Sequence, residues 1–174
     1  MKTVYTDRKK SKTILKYKRM TYSVVTGTMN QETVGCQFFA LESEECASFF
    51  TLKRVHEGHV MLAHGGVTAA ILDETMGYAN HVFEYFHKDQ YGFVFTGTAT
   101  YKYLKPVPIG EKMYAYSRVT GYEDRRRFVT GEIVDENGVV YVRSEAVYVV
   151  SKELEVKHIN VGMLPLEEGD PEEL

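Results

Sequence analysis

With 174 residues, 44% apolar and 26% charged, the chain has the composition of one ordinary soluble domain, long enough to bury a sizeable core. The net charge of −3 gives its body no basic field for nucleic acid, no run approaches a membrane span, and MKTVYTDRKK has no apolar signal region. No nucleic-acid or membrane partner is therefore expected, and Cys36 and Cys46, too few for a disulfide framework, suit a cytoplasmic protein with reduced thiols.

In chain order, residues 1–19 form a basic arm, with Lys2, Arg8, Lys9, Lys10, Lys12, Lys16, Lys18 and Arg19 against Asp7 alone. Such ends are usually solvated and loosely ordered. Residues 21–35 mix β-branched residues with turn formers and have no clear period. Residues 36–41 and 47–55 read as short strands joined across ESEE. A long apolar helix is expected over 64–86. Four segments rich in β-formers follow, at 91–104, 112–122, 126–134 and 139–150. PVPIG at 106–110, Glu123-Asp124 and Glu136-Asn137-Gly138 separate them, Asn137-Gly138 being the strongest hairpin signal. The tail, 153–174, ends in EEGDPEEL with five acids and no base.

The order strands, one long helix, antiparallel strands predicts an α+β domain over residues 20–152. A single helix covers that many strands only if the sheet wraps around it. The outer face of such a sheet would still need covering, which favours a homo-oligomer.

The chemistry concentrates in HEGHVMLAHGGVTAAILDETMGYANH, residues 56–81. His64-Gly65-Gly66 stands where the helix should begin. Free backbone N–H groups at the positive end of a helix, with no side chains in the way, can stabilise an oxyanion. A tight turn is the simpler use of two glycines, and both readings stay open on the glycines alone. Asp73 lies in the apolar run, where an ionised carboxylate needs either a partner or a task. Nine residues from His64, it stands about 13 Å along a regular helix, out of reach of a carbonyl held at that helix's own start. It could act on one held by a neighbouring chain. Ala69, Asp73 and Gly77 form a stripe of small residues that would let another backbone approach. Glu74, about 100° round the helix, reads as a structural acid. His56, His59 and His64 do not match a tight zinc spacing, and no metal site is expected.

Taken together, HEGHVMLAHGGVTAAILDETMGYA, TGTATYKYLKPVPIGEKMYAYSRV and GYEDRRRFVTGEIVDENGVVYVRSEAVYVV resemble the acyl-CoA thioesterases of the hotdog fold. The resemblance is to the HGG-type group, which includes PaaI-like and THEM-type enzymes, and it covers residues 36–150. It implies a hotdog domain, an antiparallel sheet wrapped around one central helix. The implied activity is hydrolysis of an acyl-CoA thioester by a homodimer or homotetramer, with no cofactor beyond the coenzyme A of the substrate.

Carried over position by position, Gly65 is the implied oxyanion donor and Asp73 the general base or nucleophile, acting from the opposite subunit. Thr96 supplies a hydroxyl that helps orient water, and His64 shapes the turn and lines the site. Gly66, His56, His59 and Thr98 are implied substrate contacts, and Arg125, Arg126 and Arg127, with Lys102 and Lys105, are candidates for the phosphates of coenzyme A. Related enzymes often carry Asn or Gln seven residues before the first glycine. Here that position is Gly58, leaving His56 or His59 as substitutes, or the role unfilled. Two alternatives remain: an acyl-CoA-binding hotdog module without turnover, and a hotdog enoyl-CoA hydratase or dehydratase.

Overall fold

A computed structural model describes residues 11–87, 93–151 and 163–174. Residues 1–10 of the basic arm, 91–92 of the predicted strand 91–104, residue 152 at the end of the predicted domain and 153–162 of the tail lie outside the described residues. The elements are β1 (Thr13–Tyr17), β2 (Gln37–Leu41), β3 (Cys46–Thr51), a 3₁₀ turn (Arg54–His56), β4 (Glu57–His59) and β5 (Leu62–Ala63). Then come α1 (Gly65–His87), β6 (Phe93–Tyr103), β7 (Lys112–Glu123), β8 (Arg126–Asp135), β9 (Val140–Ser151) and β10 (Met163–Leu164). The helix and the strands expected after it lie within a few residues of their predicted places. The predicted strand 47–55 stops at Thr51, because the chain turns at Lys53 into the 3₁₀ turn and the small β4–β5 hairpin.

Eight strands form one antiparallel sheet in the order β10-β1-β2-β3-β7-β8-β9-β6. It wraps around α1, which is the hotdog architecture. Alternate residues of each strand face the helix, as the period of a strand requires. Val129 and Ile133 of β8, with Val142 and Ala146 of β9, pack on Ile71, Leu72 and Met76 of α1. The approach is closest at Gly131, where a Cβ would lie 3.1–3.3 Å from Met76 and Leu72.

Two expectations about the chain's ends need correcting. Residues 13–17, inside the basic arm, are a strand, because Ile14, Leu15 and Tyr17 reach the core across a bulge between Thr13 and Leu15 while the strand pairs with β2. Tyr17 is buried, while Lys16 pairs with Glu167 and Asp170 at 2.8 and 2.9 Å. One lysine of the basic arm is thus neutralised by two acids of the tail. Thr13 also receives the tail: its N–H donates to the Glu172 carbonyl at 2.9 Å, and its hydroxyl donates to that of Pro171.

The other correction concerns the outer face. Phe39, Leu41, Ala47, Tyr116 and Val134 form an apolar patch on the sheet's outer side, and the tail's Leu166 and Leu174 pack against it. This half of the face is covered by the chain itself, so it makes no demand for an oligomer. Across β8, β9 and β6 the outer face is mixed: Arg143 pairs with Glu132 at 3.0 Å, while Phe95 and Phe128 are exposed beside Val149 and Val147. What the fold leaves open is the far edge of β6, a terminal strand of eleven residues.

Candidate active site

The start of α1 is held from both sides. His64 N–H donates to the His56 carbonyl and Ala63 N–H to the Val107 carbonyl, each at 2.9 Å. His64 then caps the helix: its ring Nδ1 accepts the Gly66 N–H at 3.0 Å, which places a neutral ring's proton on Nε2. Gly66 is therefore occupied within the chain and is not free to bind substrate. Gly65 N–H has no acceptor among the described residues, and it is the donor that the helix start presents. Tyr103 stands beside it, its hydroxyl donating to the Gly65 carbonyl at 3.1 Å. Gly65, Thr68, Tyr103, Lys105 and Pro106 line a cleft of about 340 Å³.

The vacancy at Gly58 has a steric cause. A Cβ there would lie 2.7 Å from His64 Cα and 3.1 Å from its ring, so His64 fills the space an Asn or Gln would need. Neither histidine proposed as substitute takes the role. His56 is buried, with Lys53 N–H donating to its Nδ1 at 3.0 Å and its Nε2 bonded to the Glu32 carbonyl at 2.9 Å. Both ring nitrogens are spent on holding loops together. His59 is exposed on the β4–β5 hairpin and is not among the residues lining the cleft. Among the described residues no group of three or more His, Cys, Asp or Glu side chains could hold a metal ion.

Asp73 sits at mid-helix on a partly open face. Gly77, one turn on, has nothing within 4 Å of where its Cβ would be, so the small-residue stripe is uncovered. Thr96 of β6 donates to Asp73 Oδ1 at 2.8 Å. Tyr148 of β9 stands 3.0 Å from the same oxygen and 2.7 Å from the Asp73 carbonyl. Nothing in the sequence singles out Tyr148, one of thirteen tyrosines; only the strand register, which pairs it with Thr96, brings it to the carboxylate. Burial, then the charge of Asp73, pushes the Tyr148 hydroxyl far above the usual phenol range and that of Tyr101 up to about 12. Both remain protonated donors at neutral pH.

Two other predicted contacts point elsewhere. A bulge at Gly97 shifts the register, so Thr96 faces the helix while Thr98 pairs with Val147 on the outer face. Arg127 is buried beneath the sheet, 2.8 Å from the buried Glu84, with its guanidinium 5.4 Å from the Phe83 ring. It cannot meet a phosphate in solvent. Arg127→Ala is expected to cost about 3 kcal/mol by taking the guanidinium from buried Glu84 and leaving it the weaker contact with His81 at 3.2 Å, read as a large drop in Tm, whereas Arg126→Ala should change Tm little. Arg126 is exposed at the β7–β8 turn and pairs with Glu123 at 3.0 Å, and Arg125 is exposed beside it.

Glu74 is a structural acid. Ser23 donates to it at 3.0 Å and Thr26 at 3.0 Å, fastening residues 23–26 to the helix. Burial, the largest cause, raises its pKa and the neighbouring charge of Asp73 adds to this; together they outweigh the bonds from Thr26 and Ser23, so the fold shifts it toward the protonated form. Its ionisation then costs stability above the raised value, a cost that fades as pH falls through it. Glu74→Gln should match or exceed the wild-type Tm at pH 7, with the difference vanishing in acid.

Comparison with known proteins follows this geometry. The profile of the thioesterase superfamily matches residues 62–142, which contain the helix, Asp73 and Thr96. Among solved structures, a thioesterase superfamily protein is 25% identical with a TM-score of 0.65; the match covers 73% of this chain and only 59% of that one. The E. coli PaaI protein from the phenylacetic acid degradation operon is 15% identical, with a TM-score of 0.59, over 68% of this chain and 80% of its own. A hypothetical thioesterase protein with coenzyme A from Streptococcus pneumoniae is 12% identical, with a TM-score of 0.55, over 62% of this chain and 81% of its own. A search of curated proteins finds no match. The resemblance read in the sequence therefore holds: residues 62–142 match the thioesterase superfamily, and the chain has the hotdog fold of its PaaI-like members.

Proposed function

We propose that this chain hydrolyses an acyl-CoA thioester, using Asp73 of one subunit and the Gly65 N–H of another. The observation that carries the reading is Asp73 itself: a carboxylate held by two side chains on a partly open helix face. It is eight residues, about 12 Å, from an N–H without an acceptor among the described residues. One carbonyl cannot span both within a single chain. A two-fold pairing through the free edge of β6 and the Ala69–Asp73–Gly77 stripe would bring each Asp73 beside the other subunit's helix start. Such a homodimer, alone or doubled into a tetramer, completes two sites.

In the reaction, Asp73 removes a proton from water as its oxygen bonds to the thioester carbon, and the carbonyl oxygen gathers charge on Gly65 N–H. Collapse breaks the C–S bond and releases the thiolate of coenzyme A, which takes the proton back. Attack by the carboxylate itself, through an anhydride that water then opens, uses the same groups. Thiolates leave readily, so neither route calls for a strong acid, a metal or an organic cofactor. Lys105, which lines the Gly65 cleft and stands 5.8 Å above the Tyr141 ring, is a cation placed to meet the phosphates of coenzyme A. The S. pneumoniae protein with coenzyme A supports this substrate class.

Free-thiol release across short, long and aromatic acyl-CoAs tests the proposal. Turnover of at least one class is expected. Retention of acyl-CoA without release would make the chain a binding module, and hydration of an enoyl substrate would make it a hydratase.

A further inference from the structure

We propose that Tyr148 is a positioning residue for Asp73, holding one oxygen of its carboxylate so that the other is presented to water or substrate. This rests on the reading of Asp73 as base or nucleophile. Thr96 and Tyr148 come from adjacent strands and converge on the same atom, Oδ1, at 2.8 and 3.0 Å. Oδ2 has no donor among the described residues. A carboxylate buried only for structure would be expected to spread its donors over both oxygens, as Glu74 does with Ser23. Here both donors are on one oxygen of a residue that is only partly buried.

Tyr148 is suited to the task because it cannot move. It is 2% exposed, and its strand lies between β6 and β8, where its register partners are Thr96 and Arg127. Its hydroxyl also stands 2.7 Å from the Asp73 main-chain carbonyl, so its single proton is shared between the backbone and the side chain of that one residue. Thr96 alone, exposed on an edge strand, would allow the carboxylate to turn. The ionisable groups around Asp73 are Glu74 on its own helix, Tyr101 from β6 and Tyr148 from β9. Tyr148→Phe leaves the ring and the bonds of Glu74 to Ser23 and Thr26 in place and removes a donor that favours the ionised form of the acid it touches.

The test is the pH profile of thiol release. In Tyr148→Phe, kcat should fall about tenfold with KM nearly unchanged, as expected for losing a hydrogen bond to a charged group in the transition state. The low-pH limb should move to higher pH by about one pH unit. Replacing Tyr148 with 3-fluorotyrosine, a stronger donor of nearly the same shape, should move the limb the opposite way; this second variant covers a Phe form that melts too low to assay. A lowered Tm with kcat and both limbs unchanged would show that Tyr148 only anchors the helix, and would overturn the proposal. An active wild-type protein whose Asp73→Ala variant keeps full turnover would overturn the base reading instead, whatever Tyr148 does.

Discussion

Asp73→Ala should lower kcat for thiol release by about a thousandfold while leaving Tm close to that of the wild-type protein, since a positioned base contributes about 10²–10⁴. The reason lies in what surrounds the side chain. Asp73 is on a partly exposed stripe of α1 and makes no ion pair among the described residues, so its removal opens no core cavity. It frees the Thr96 hydroxyl, which solvent can reach, and leaves Tyr148 its second acceptor, the Asp73 main-chain carbonyl. A structural acid would behave in the reverse way, losing Tm first. Asp73→Asn keeps the shape and separates the two effects: its activity should be nearly as low, because an amide can neither take the proton nor attack. Kinetics on the acyl-CoA panel alongside thermal melts of the three proteins decide it.

Gly65→Pro should be the second-largest effect, a fall of about 10²–10³ in kcat, the range for removing one oxyanion donor. The substitution is unusually clean at this position. Gly65 is the first residue of α1, the place in a helix that tolerates proline, since its N–H has no partner within the helix. A Cβ there would meet the Tyr103 ring at 3.4–3.6 Å, close to ordinary contact. The change thus removes the donor and little else. Gly65→Ala is the control: it adds the same Cβ but keeps the N–H, and should stay within about tenfold of wild type. If the alanine and proline variants are equally impaired, crowding by Tyr103 and not the missing donor is the cause.

Much of this site was legible in the chain because its key groups lie on one continuous helix. His64-Gly65-Gly66 and Asp73 have a spacing that any regular helix turns into a distance, and the proposal of a second chain rests on that distance. Arg127 shows a signal that was present and outweighed: alternation from Val129, Gly131 and Ile133 sends it to the helix side of the sheet, yet it stood in a run of three arginines that read as candidates for the phosphates of coenzyme A. Thr98 was not legible, since the bulge at Gly97 that turns it outward depends on pairing with β9. Tyr148 was further out of reach, being 75 residues from Asp73 and joined to it only by the register of three strands. The strand at 13–17 was hidden by its charges, because counting lysines does not reveal that Lys16 would meet Glu167 and Asp170 from the other end of the chain.

That the site is divided between two subunits is tested most directly by mixing two inactive variants. Asp73→Ala and Gly65→Pro proteins, co-refolded in equal amounts, should form mixed dimers as half of the population. In each mixed dimer one site keeps both Asp73 and the Gly65 N–H, and the other keeps neither. Recovery of about a quarter of wild-type thiol release is the predicted result for random pairing with two-fold symmetry. A mixture that stays as inactive as its parents, while each variant folds and the mixed dimer is demonstrated by mass, would contradict the shared site and place the whole reaction within one chain.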